Sequence, residues 1–362
     1  MARIGIGVIG CGDIARVRYL PSIAASPEAR LIGVYSRRRA TCETATRQFG
    51  GKAYRDLEAL LSDSEVDAVI VATPHPSHAE LAIRALDAGK HVLTEKPMAT
   101  SLADADRVLE AASRTRNVLM ALPLDSSPPV DEARRLIRTG AIGRVSGADA
   151  VLEHHGPLHA PWFFDAEQAG WGVLADLGIY LISQLTYLFG PAESAFAQVA
   201  TMLPERTLPG GQSFRVGVED NVAAVITLES KITATLRANW CSPADKRNFI
   251  WETRIYGTDG MIFINLAPPG NMLVLYSPGR PIEGAEPIVY NGMTECYRLS
   301  LSSWDLHMDV LTSFLQAIRE GGPIAENGAS AARQHHVIEI IAKLYESSES
   351  GCVQRLVTPM EG

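Results

Sequence analysis

The strongest constraint on this chain sits at its start. Residues 4–9, IGIGVI, form an apolar, largely β-branched run that is followed at once by Gly10, Cys11, Gly12 and Ala15. Such a run reads as a buried strand of a parallel sheet. The glycines then turn it sharply into a helix, and strand, glycine turn and helix together open a dinucleotide-binding βαβ unit. Gly10 permits the tight turn, Gly12 lets a pyrophosphate approach the backbone, and Ala15 is small enough for the helix to pack closely on the strand. Asp13, Ile14 and Ala15 open the helix, whose first N–H groups suit an anion.

The second strand, Ala29–Tyr35, adds information about the nucleotide. It ends at Ser36-Arg37-Arg38-Arg39. An acid at such a strand end, about 20 residues past the glycines, takes a ribose 2′-hydroxyl. None is present. A hydroxyl followed by guanidinium groups suits a 2′-phosphate, so Ser36, Arg37 and Arg38 favour NADP(H) over NAD(H). Arginines at a helix start also oppose the helix dipole, which argues against chance placement.

Further along, Asp67–Ala72 is a third buried strand, closed by Thr73-Pro74. His75 and His78 follow on a loop and a helix start. Helix 78–88 ends at Gly89, and strand His91–Thr94 runs into Glu95-Lys96-Pro97. Helix 102–115 and strand 118–122 complete an alternating pattern that predicts a doubly wound parallel sheet. The pattern changes at residue 123. After a proline- and serine-rich loop come β-rich runs at 144–154, 193–203, 219–228, 232–240, 250–256, 260–265, 272–276 and 286–290, with a helix over 171–188. Short turns between sequential strands predict a mostly antiparallel sheet. Helices 303–319 and 328–347 close the chain. The expected fold class is therefore α/β: a Rossmann domain over 1–122 and a second α/β domain with a large open sheet over 123–362. The closing helices are expected to cover one face of that sheet. A second subunit is expected on the other, giving a homodimer or homotetramer.

Composition narrows the partners. With 33 basic and 41 acidic residues the net charge is −8, which argues against a nucleic-acid surface or a polybasic membrane patch. The five cysteines are odd in number and have no CxxC spacing, which suits a reducing cytoplasm and predicts no metal site. No signal peptide and no apolar run of membrane-spanning length are read from the sequence.

GVIGCGDIA at the start, ATPHPSHAELAIRALDAGKHVLTEKPMA over 72–99 and WGVLADLGIY over 171–180 together resemble the Gfo/Idh/MocA oxidoreductase family. The resemblance implies hydride transfer between nicotinamide and a carbinol, often of a sugar or cyclitol. It makes Lys96 the catalytic lysine, with Glu95 orienting it. It places Thr73, Pro74, His75 and His78 beside the cofactor, His75 standing where the family commonly has asparagine. Asp176 and Tyr180, four residues apart, are expected on one helical face. The family often has histidine at the latter position. Tyrosine there is similar to the branch of glucose–fructose oxidoreductase, dihydrodiol dehydrogenase and xylose dehydrogenase. Tyr180 is then the proton donor and acceptor, with Lys96 as its electrostatic partner, and Asp176 holds substrate hydroxyls or orients Lys96. Pro123 stands where family members usually carry an arginine, so a substrate-side cation is absent. Trp162 and His155 are candidate substrate contacts, an aromatic ring suiting the apolar face of a sugar. Two other readings fit a cofactor-binding chain: a sensor or repressor without turnover, and an NAD-dependent glycosidase-type enzyme.

Overall fold

The computed structural model describes residues 2–123, 126–208, 210–243, 249–267, 272–276, 284–290, 293–300, 306–322 and 329–357. The chain divides into two units, Met1–Leu124 with Asp305–Ile338, and Asp125–Trp304 with Glu339–Gly362. The α/β class and the two kinds of sheet are those expected from the sequence.

In the first unit, strands β1 (Ile4–Ile9), β2 (Ala29–Tyr35), β3 (Lys52–Ala53), β4 (Ala68–Val71), β5 (His91–Thr94) and β6 (Leu119–Ala121) form a parallel sheet in the order 3-2-1-4-5-6. The order reverses at β1, so the chain leaves β1 toward β2 on one side and returns to β4 on the other. Ligands of open α/β sheets bind at the carboxyl edge of such a switch point. Gly10, Ser36, Thr73 and Lys96 follow the ends of β1, β2, β4 and β5, and the fold gathers them at that edge.

One assignment needs correction. The need to cover the large sheet placed both closing helices in the second domain, with the first ending at residue 122. Helix Leu306–Glu320 instead buries Val310, Leu311, Phe314, Leu315 and Ala317 in the core of the first unit, beside Tyr19, Leu20, Ile23 and Met120. Beyond it, Ser330 forms an antiparallel bridge with Met120, and Ala121 N–H donates to Ala329. This covers the outer edge of β6, which would otherwise present unpaired backbone groups. The unit boundary falls inside helix Ala331–Ser350. Residues 303–305 of the expected helix lie outside the described residues.

The second unit continues with β7 (Val145–Glu153), β8 (Ala192–Ala200), the short pair β9 (Glu205–Thr207) and β10 (Ser213–Arg215), β11 (Asn221–Leu228), β12 (Thr233–Asn239), β13 (Ile250–Gly257), β14 (Met261–Asn265), β15 (Met272–Tyr276), β16 (Glu286–Tyr290), β17 (Met293–Ser300) and β18 (Gln354–Arg355). Among the described residues the large sheet runs 16-17-15-14-13-7-12-11-8-18, antiparallel except where β7 pairs with β12. Alternation sorts its faces. Val222, Ala224 and Ile226 with Ala234, Leu236 and Ala238 are buried, while Ala223, Val225, Thr233, Thr235 and Arg237 are exposed. β17 was not read from the sequence.

A second correction concerns the helix before β8. Ala166–Phe189 is long and apolar enough to cross a membrane by length and composition, contrary to the sequence reading. Its window is 94% buried within the protein, because a core helix packed on a sheet is apolar nearly all round.

Candidate active site

The nucleotide-side residues of the first unit are built from backbone constraints. Gly10 has φ +101°, and a Cβ there would lie 2.2 Å from the Ala72 carbonyl oxygen, so only glycine fits between β1 and β4. Gly12 differs: an added Cβ meets no heavy atom within 4 Å, and no positive φ demands glycine. The fold itself does not demand glycine at this position, and the open space beside it leaves room for a ligand to approach the backbone. The helix opens at Asp13, directly after Gly12, and Arg16 N–H already donates to the Gly12 carbonyl at 3.1 Å, which leaves the N–H groups of the first turn outside the helix ladder. Ala15 is fully buried against the sheet. Asp13 is exposed and pairs with Arg16. This segment fits a dinucleotide pyrophosphate.

At the end of β2, Ser36 is half-buried, and Arg37 and Arg38 are exposed. Arg39 is occupied by Glu43 at 3.0 Å, whereas Arg37 and Arg38 make no ion pair among the described residues.

After β4, Thr73 Oγ1 accepts from Ser77 at 2.8 Å, and His75 is buried. His78 is fully buried, with Nε2 2.6 Å from the Thr73 carbonyl and Nδ1 2.8 Å from the Pro97 carbonyl. Burial pushes its pKa below the usual histidine range, against the raising influence of the two carbonyls and Glu95. Glu95 also points inward. Its Oε1 accepts from Tyr19 at 2.7 Å and Arg18 at 3.1 Å, and its Oε2 accepts the main-chain N–H of Lys96 at 3.1 Å. Lys96 itself is half-buried and joined to Pro97 by a cis peptide bond.

Arg18 and Tyr19 escaped the sequence reading because they look like ordinary residues of helix 13–25. They lie on a π-helical turn, Ala15–Tyr19. The one available signal was an arginine beside an aromatic in an otherwise apolar helix, since a charge in such a place needs a buried partner.

In the second unit, Asp176 lies on another π-helical turn, Leu174–Gly178, and Tyr180 follows on helix Ile179–Phe189. The expected i, i+4 spacing assumed α-helical geometry, which the wider turn interrupts. Asp176 is buried and its Oδ2 accepts from Trp240 Nε1 at 3.3 Å. Tyr180 is half-buried, its ring edge-on to Trp251 at 5.4 Å. Glu219 holds the start of this helix from outside it, accepting from the N–H groups of Gly172 and Leu174 at 3.1 Å each and from Tyr345 at 2.5 Å.

Trp162 stacks on Phe163 at 4.0 Å, and Phe163 and Phe164 both contact Trp240. The candidate contact Trp162 is thereby joined to Asp176 through one aromatic cluster. Arg206 braces it, donating to the carbonyls of His155 (2.8 Å) and Trp240 (2.9 Å) and pairing with the buried Asp220 at 3.1 Å. Glu219, Asp220, Arg206 and Trp240 were also missed. Their partners lie from 14 residues away, for Arg206 and Asp220, to 126, for Glu219 and Tyr345, and no spacing rule reaches that far.

Comparison with known proteins follows this division. A family model described as the oxidoreductase family with an NAD-binding Rossmann fold matches residues 4–122, and one described as the GFO/IDH/MocA C-terminal domain matches residues 130–263. The chain is 36% identical to the dTDP-3,4-didehydro-2,6-dideoxy-alpha-D-glucose 3-reductase of Actinomadura kijaniata, covering 93% of this chain and 94% of that protein. It is 26% identical to the levoglucosan dehydrogenase of Pseudarthrobacter phenanthrenivorans, covering 91% and 93%. Its fold superposes with a TM-score of 0.82 on a levoglucosan dehydrogenase solved with NADH and levoglucosan (22% identity, 99% and 100% covered). The score is 0.78 against KijD10, a 3-ketoreductase from Actinomadura kijaniata solved with NADP and TDP-benzene (24% identity, 96% and 98% covered). On these matches and on the fold, the chain belongs to the Gfo/Idh/MocA oxidoreductase family.

Proposed function

We propose that this nicotinamide-dependent dehydrogenase interconverts a ring carbinol and a ketone of a sugar, at carbon 3 of a pyranose, and that it uses NADP(H) in preference to NAD(H). The observation that carries the substrate reading is the 36% identity, over nearly the whole chain, to a protein named as a 3-reductase of a didehydro-dideoxy glucose. The cofactor preference rests on Arg37 and Arg38, exposed at the end of β2 where no acid stands.

A bound nicotinamide supplies the hydride donor or acceptor. The backbone of Gly10–Ala15 holds the pyrophosphate, and Ser36, Arg37 and Arg38 take the 2′-phosphate. Thr73, Pro74 and His75 line the nicotinamide-ribose side. Lys96 stabilises negative charge developing on the substrate oxygen. Tyr180 takes the proton on oxidation and returns it on reduction. Asp176 accepts hydrogen bonds from substrate hydroxyls, and Trp162 and His155 contact the sugar. A second copy of the chain covers the exposed face of the large sheet; a monomeric mass in light scattering would remove that part of the reading.

The test is a screen of hexoses, 3-keto hexoses, inositols and anhydrosugars with NADP(H) and NAD(H), following absorbance of the reduced nicotinamide. Turnover of a 3-keto hexose with NADPH is expected. Turnover confined to substrates without a ring carbinol or ketone overturns the substrate reading. Tight cofactor retention with no net change in reduced nicotinamide during sugar cleavage would favour a glycosidase-type reaction.

A further inference from the structure

Three buried side chains in the first unit converge on the two-residue turn that carries the candidate lysine, and the reaction as assigned uses none of them. Glu95 is surrounded by donors: Tyr19 O–H at 2.7 Å, Arg18 Nη1 at 3.1 Å and Lys96 N–H at 3.1 Å. Tyr19 is held well above the ordinary tyrosine range by burial and by the neighbouring carboxylate, so it stays a donor. A carboxylate so occupied is no free proton acceptor; it is a strut. One end grips the main chain of Lys96. The other grips the π-helical turn Ala15–Tyr19, which directly follows the glycine turn, and π-turns concentrate at functional sites. On the far side of Lys96, the next carbonyl, that of Pro97, lies 2.8 Å from His78 Nδ1, while His78 Nε2 reaches the Thr73 carbonyl at 2.6 Å. His78 therefore sits between the loops after β4 and β5; the neutral ring donates its one N–H to one of these two carbonyls and packs against the other.

We propose that Arg18, Tyr19 and His78 are positioning residues that clamp the Lys96–Pro97 turn from both sides and join it rigidly to the helix that opens at the glycine turn. The role in catalysis rests on reading Lys96 as the amine that serves the reaction; the clamp itself does not.

The variants are Tyr19→Phe, His78→Gln, Arg18→Met and Arg18→Lys in the full chain. Tyr19→Phe removes a single oxygen and keeps the test alive if Arg18→Met fails to fold. Three quantities are measured: affinity for ADP-ribose, which lacks the nicotinamide; kcat and KM on the sugar identified by the screen; and the rate at which acetic anhydride labels Lys96, read by mass spectrometry against Lys52 and Lys90. A drop in kcat of about tenfold to 100-fold is expected for Tyr19→Phe and His78→Gln, as for a displaced catalytic group. ADP-ribose affinity is expected to stay within about twofold, the spread of independent sites. Lys96 labelling should change relative to the two control lysines, and Arg18→Lys should recover most of what Arg18→Met loses. Unchanged Lys96 labelling in every variant overturns the clamp. So does a loss of ADP-ribose affinity that parallels the loss of kcat, because the three residues would then serve only the nucleotide seat. Full turnover by Lys96→Met would instead sink the catalytic reading, while the labelling result still decides the clamp.

Discussion

The indole N–H of Trp240 donates to Asp176 Oδ2 across 3.3 Å, and both residues are buried. Trp240→Phe keeps most of the ring packing with Phe163 and Phe164 but removes that donor. A buried acceptor that loses a partner destabilises the fold by about 1–3 kcal/mol. Urea unfolding should register that loss. KM for the sugar should rise more than kcat falls, since Asp176 is assigned to holding hydroxyls. An unchanged KM would leave Asp176 a purely structural role.

Tyr180 carries the proton in the proposed reaction. Tyr180→Phe preserves the edge-on contact with Trp251 and deletes only the hydroxyl. General acid–base groups contribute about 100-fold to 10,000-fold, so kcat should fall by at least about 100-fold while NADPH affinity, followed by fluorescence, is unchanged. Wild-type turnover in the variant would show that another group moves the proton.

Arg37 and Arg38 carry the proposed cofactor preference. Replacing both with alanine should weaken NADPH binding by about tenfold to 1,000-fold, two charge-assisted contacts at about 1.5–3 kcal/mol each being partly redundant. NADH binding should move little. Equal affinity of the wild-type protein for the two nucleotides would undo the preference.

Glu219 provides a stability test with a defined sign. Burial pushes its pKa above the ordinary glutamate value of 4.5 despite the hydrogen bonds from Tyr345, Leu174 and Gly172. Between 4.5 and that raised value the folded protein binds more protons than the unfolded chain. Its contribution is therefore fully present below pH 4.5 and is lost as pH rises through the folded pKa. The free energy of unfolding of the wild type, measured in urea against Glu219→Gln, should improve as pH falls from neutrality. A gap that widens in favour of the variant on acidification would reverse the assignment.

The cysteine of the glycine turn should be inert. Cys11 is buried with its sulfur 3.8 Å from that of Cys42, and its thiol is pushed up to about 12, chiefly by burial. Cys352 is exposed. Since the thiolate is the nucleophile, iodoacetamide at pH 8 should modify Cys11 roughly a thousandfold more slowly than Cys352. Comparable rates would mean that the glycine turn opens readily.

Local chemistry was enough to read the Rossmann half. The apolar run Ile4–Ile9, the turn at Gly10 and the strand ends at Ser36, Thr73 and Lys96 follow from side-chain period, from glycine's freedom and from chain order, all of which act over a few residues. Tyr180 and Asp176 were legible only through resemblance, and the π-helical turn beneath Asp176 altered the spacing that an ideal helix assumes. What no local rule could supply is the set of partners across long separations: Glu95 with Arg18 and Tyr19, Glu219 with Tyr345, Arg206 with Asp220, and helix Leu306–Glu320 with a sheet nearly two hundred residues before it. A buried charge or an apolar face demands some partner. Which partner it finds depends on how distant segments pack together, and the chain settles that only when it folds.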